Sequence, residues 1–86
     1  MVMREIKAEF KKITELVKRL GKNSYESVEL GGREYEVGSH VGSEHPYEIL
    51  VPHKGTIYFT SLENCVSSLF QLAIGDNWIE NIDWRH

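Results

Sequence analysis

The hydrophobic period of this 86-residue chain changes once, at Gly21, and the change limits the folds open to it. Before it, Met3, Ile6, Phe10, Ile13, Val17 and Leu20 follow at steps of three, four, three, four and three, the spacing of one stripe on an α-helix. A helix is predicted over residues 3–20, with Gly21 as its C-cap. After Gly21 the period falls to two. In SYESVELGGREYEVG, Gly31-Gly32 separates two short alternating runs, the composition of a two-residue hairpin turn with positive φ. Pairing Leu30 with Arg33 sets Val28 opposite Tyr35 and puts Val28, Leu30, Tyr35 and Val37 on one buried face. Glu29, Glu34 and Glu36 then share the exposed face, with Glu29 directly opposite Glu34.

YEILV and TIYFT read as two further strands joined by a tight turn at PHKG, and GSHVGSEHP reads as a loop. A second helix is expected from Thr60, which with Glu63 matches a capping box. Its apolar arc is Leu62, Cys65, Val66, Leu69, Phe70, Leu72 and Ala73, and Gly75 ends it. Asn64, Ser67, Ser68 and Gln71 make an uncharged polar face. The end of the chain, DNWIENIDWRH, is a short aromatic segment in which one of Trp78 and Trp84 is expected buried and the other partly exposed. The expected class is α+β: an N-terminal helix, a four-stranded antiparallel sheet made of a β-hairpin plus two strands, and a second helix, with both helices on one face.

Residues 1–86 suit one domain, since 41% hydrophobic content at this length supports a single core. Cys65 is the only cysteine, so no internal disulfide forms, and a reducing cytoplasm is the expected compartment. The first residues are interspersed with charge, and no apolar run is long enough to span a bilayer, so neither export nor a membrane is expected. Charge is unevenly distributed. Residues 1–22 hold seven Lys/Arg against three Glu, a net +4, and the rest hold three bases against ten acids, a net -7. On a helical projection Arg4, Lys7, Lys11, Lys18 and Lys22 form one basic row beside the apolar stripe.

His40, His45 and His53 fall within one stretch, but a strand separates His53 from the other two. Five or six extended residues span nearly 20 Å at about 3.3 Å each, too far for one tetrahedral metal. His40 and His45 lack a third ligand, so no metal and no cofactor is expected. Cys65 falls on the apolar side of its helix, where a thiol behaves as a small core hydrophobe. No GxSxG, P-loop, HExxH or paired-carboxylate signature is present, and the protein is not expected to be an enzyme.

The element order resembles the double-stranded-RNA-binding domain, but that domain holds phosphates with lysines where this chain reads SLENCVSS. An acidic sheet face equally opposes RRM-like stacking. The passage GTIYFTSLENCVSSLFQLAI, an aromatic strand end followed by Ser-Leu-Glu opening an amphipathic helix, resembles small accessory proteins encoded by phages and other mobile elements. That resemblance implies a small acidic single-domain protein, some of whose kind inhibit host-defence nucleases by occupying nucleic-acid-binding surfaces, as anti-CRISPR proteins do. It assigns no functional residue.

Two functions follow from the charge. In the favoured one, an inhibitor or regulator meets the basic surface of a larger protein through Glu29, Glu34, Glu36 and Glu48, with Trp84 as an apolar anchor, and touches no nucleic acid directly. In the alternative, a homodimer uses the strip Arg4, Lys7, Lys11, Lys18 and Lys22 to engage nucleic acid, its helical stripe forming part of the dimer seam.

Overall fold

The computed structural model describes residues 3–75, with side chains from residue 7 onward. In chain order it forms α1 (Met3–Arg19), β1 (Tyr25–Leu30), β2 (Arg33–Ser39), β3 (Tyr47–Val51), β4 (Gly55–Phe59) and α2 (Leu62–Ile74). The strands make one antiparallel sheet in the order β1-β2-β3-β4, each hydrogen-bonded to its neighbour in sequence. This is the expected α+β fold. No helix among the described residues is long and apolar enough to cross a membrane.

The first hairpin has the expected register: Leu30 pairs with Arg33, Val28 with Tyr35 and Glu29 with Glu34. Gly31 and Gly32 have φ of 60° and 79°, the paired positive values of a type I′ turn, which a side chain at either position would strain. Val28, Leu30, Tyr35 and Val37 are buried as one face. They join Ile49 and Val51 from β3 and meet Ile13 and Leu16 of α1 and Cys65, Leu69, Leu72 and Ala73 of α2. Helix α1 lies over β1, α2 lies over β3 and β4, and the helices touch through an edge-to-face contact of Phe10 and Phe70 with centroids 4.7 Å apart. Both helices therefore occupy one side of the sheet.

Leu16 extends the helical stripe. It is fully buried, although the single row through Ile13, Val17 and Leu20 passes it by. Because α1 packs against both the sheet and α2, its apolar arc is wide enough to take a second row three residues on from Ile13.

The helix ends need three corrections. Helix α1 stops at Arg19, and the left-handed residue of the following turn is Asn23 (φ 51°), not Gly21, whose N–H donates to Ser24 Oγ at 3.0 Å. Lys22 consequently lies in that turn, outside the helical row. At α2 the N-cap is Ser61 rather than Thr60: its backbone is extended (φ −140°) and its Oγ accepts the Asn64 N–H at 3.2 Å. Glu63 is then one position short of closing a capping box. Gly75 does end α2, in an extended conformation (φ 177°) that any residue adopts.

Candidate functional site: the open face of the sheet

Strand alternation sends every second side chain away from the helices, and no described helix covers that second face. Two cross-strand rows define it. One runs Tyr25, Gly38, Glu48, Tyr58, and the next runs Ser27, Glu36, Leu50, Thr56. Glu29 and Glu34 lie beyond them, toward the Gly31-Gly32 turn. The face thus has an aromatic end and an acidic end.

At the acidic end Glu29, Glu34 and Glu36 are all exposed. Glu29 stands 4.0 Å from Lys12 Nζ, a solvent-screened pair worth little. Among the described residues Glu34 and Glu36 form no ion pair. A trough of about 890 Å³ runs along this end between Glu34 and Glu36 on one side and His53, Lys54 and Thr56 on the other, with Leu50 half-buried among them.

Glu48 corrects the expectation of a fourth exposed carboxylate. It points to the open face but is only 8% exposed, because Tyr25 reaches across the side-chain-free Gly38 and covers it. The Tyr25 hydroxyl donates to Glu48 Oε1 at 3.2 Å and lies 2.9 Å from His40 Nε2, which also contacts Glu48 Oε1. Desolvation, reinforced by the hydrogen bond and negative charge of Glu48, holds the Tyr25 phenol above its ordinary pKa. The loop carrying the histidines is pinned at its base by His40 N–H to Pro46 O (2.7 Å) and Val41 N–H to Asn23 Oδ1 (2.9 Å). From that loop His40 sets its ring against Tyr25, centroids 5.4 Å apart, and His45 approaches Tyr58 at 6.1 Å. Two tyrosine-histidine pairs therefore flank one buried carboxylate.

His53 occupies the turn at the other end of β3 with φ 62°, separated from His40 and His45 as the strand length requires. Among the described residues no three His, Cys, Asp or Glu side chains gather closely enough to hold a metal ion. Cys65 is buried, and desolvation pushes its thiol up to about 12, so it stays protonated at neutral pH.

Of the basic strip, Lys7, Lys11 and Lys18 are exposed on α1, Arg4 lies in its first turn, and Lys22 has left the helix. Lys12 and Arg19 instead tie α1 to the sheet. Lys12 reaches Glu9 Oε1 at 3.1 Å and the Glu29 carbonyl at 3.2 Å, and Arg19 Nε stands 3.4 Å from Glu26. Trp84 lies outside the described residues. Sequence reasoning missed Tyr25, His40 and Tyr58 as members of the open face. The signal was present for Tyr25, since a glycine cross-strand from an aromatic leaves room for the ring to lie over it. Comparison with family models, curated proteins and solved structures found no match to this chain.

Proposed function

We propose that this protein is a non-enzymatic binding module, an inhibitor or regulator that presents the open face of its sheet to a basic surface of a larger protein. The carrying observation is that this face, which no described helix covers, bears Glu29, Glu34 and Glu36 in exposed positions, two of them without an ion pair among the described residues. Beyond the weak, screened Glu29–Lys12 pair, the carboxylates add repulsion to the fold. Glu29 opposite Glu34 costs a few tenths of a kcal/mol by repulsion. A row of carboxylates imitates the phosphates of a nucleic acid, and a cationic partner is drawn to it at long range. The resemblance of Gly55–Ile74 to phage-encoded accessory proteins favours a nucleic-acid-processing or host-defence complex as the partner.

The test is binding of a fluorescent peptide rich in arginine and lysine to wild type, to Glu34→Lys/Glu36→Lys and to Lys11→Glu/Lys18→Glu, with circular dichroism confirming that all three fold. The acidic-face reversal should weaken binding by roughly tenfold or more per charge, and most strongly at low salt. The helix reversal should leave it unchanged or slightly tighter. Equal affinity for wild type and the Glu34/Glu36 variant would assign these carboxylates to solubility. Binding of duplex DNA at physiological salt, lost in the Lys11/Lys18 variant, would transfer the function to α1.

A further inference from the structure

We propose that the Tyr25, Glu48 and Tyr58 end of the open face is a socket for one arginine side chain of the basic partner. The inference rests on the acidic-face reading and specifies which cation that face selects. Glu48 is more than nine-tenths buried, yet its carboxylate is only half used. Tyr25 and His40 both engage Oε1, and Oε2 makes no hydrogen bond among the described residues. A carboxylate offers about four acceptor positions, so Oε2 keeps acceptor capacity for an incoming N–H donor.

The walls suit a planar cation. Tyr58 is the direct cross-strand partner of Glu48 and is 61% exposed, a large aromatic surface left in water beside a sequestered negative charge. Tyr25, 49% exposed, stands on the other side of Glu48 with its ring lying over Gly38. His45 and His40 back the two rings from the loop. Guanidinium is flat, weakly hydrated and donates in a fork, so it stacks on a tyrosine while hydrogen-bonding a carboxylate. A lysine ammonium is a compact, strongly hydrated charge that gains less from stacking. Glu36, one row away, adds negative potential at the mouth.

The experiment compares two peptides of equal length and charge, one built on arginine and one on lysine, against wild type, Tyr58→Ala and Glu34→Lys/Glu36→Lys. Wild type should prefer the arginine peptide by about fivefold. Tyr58→Ala should erase that preference while changing lysine-peptide affinity by less than about twofold, whereas the acidic-face reversal should weaken both peptides together. Equal affinity of wild type for the two peptides, or a preference that survives Tyr58→Ala, overturns the socket and leaves the acidic-face reading standing. Failure of wild type to bind either peptide overturns both. Equal affinity of wild type for the two peptides is read without any variant, so the socket can be overturned even if Tyr58→Ala proves unstable.

Discussion

A Cβ built on Gly38 would stand 2.6 Å from Tyr25 Cε1 and 3.0 Å from Glu48 Cγ, closer than packed carbons approach. The backbone there carries no left-handed φ, so the constraint is the space above it. Gly38→Ala should lift the tyrosine ring, uncover Glu48 and cost about 1–3 kcal/mol by urea denaturation. Removing the ring with Tyr25→Ala should recover most of that cost in the double variant. Strict additivity of the two changes would show that the ring does not lie there. Cys65 makes a second prediction at this scale. The folded state holds its proton more tightly than the unfolded chain, so its contribution is fully present below 9.0 and is lost as pH rises toward about 12. Tyr25, raised in the same sense, adds to the loss above 10.0. Stability should therefore fall on the alkaline side, and Cys65→Ala should flatten that limb in a pH series of melting temperatures. The cover over Glu48 was not legible in the sequence. Alternation reports which face a side chain takes, whereas burial depended on a tyrosine two strands away in the sheet.

Elements were more legible than their ends. The Gly31-Gly32 pair specified the hairpin register because a type I′ turn admits one pairing and a one-residue slip would expose Val28 and Leu30. The stripe of α1 predicted its extent to within a residue, but a single row of contacts could not anticipate Leu16, whose burial comes from the simultaneous approach of α2 and the sheet. At the start of α2 Thr60 and Ser61 are both competent caps, and local pattern alone favoured Thr60 for the glutamate three residues on. The structure resolves the choice through Ser61 Oγ and the Asn64 N–H. Ser61→Ala should accordingly cost about 1 kcal/mol in thermal or urea unfolding, while Thr60→Ala at its exposed position should cost well under half of that. The reverse ranking would restore the capping box of Thr60 and Glu63.

At the scale of the molecule, the helices bury one face of the sheet and no described helix covers the other, and charge follows that division. Lys7, Lys11 and Lys18 belong to the helical layer, and Glu29, Glu34 and Glu36 to the open face. Both the charge asymmetry and its division between helix and sheet were visible in the sequence; the departure of Lys22 from the helical row and the burial of Glu48 emerged only with the fold. The aromatic end of the open face, with Tyr25, His40, Glu48, His45 and Tyr58, draws on β1, β3, β4 and one loop, so no contiguous motif announced it. The most direct test of the open face as the recognition surface is an amide chemical-shift map of the labelled protein titrated with the arginine-rich peptide. Shifts should concentrate at Glu34, Glu36, Glu48, Leu50 and Tyr58, with the Lys7 to Lys18 segment of α1 unmoved. Shifts confined to α1, or none across the sheet at saturating peptide, would contradict it.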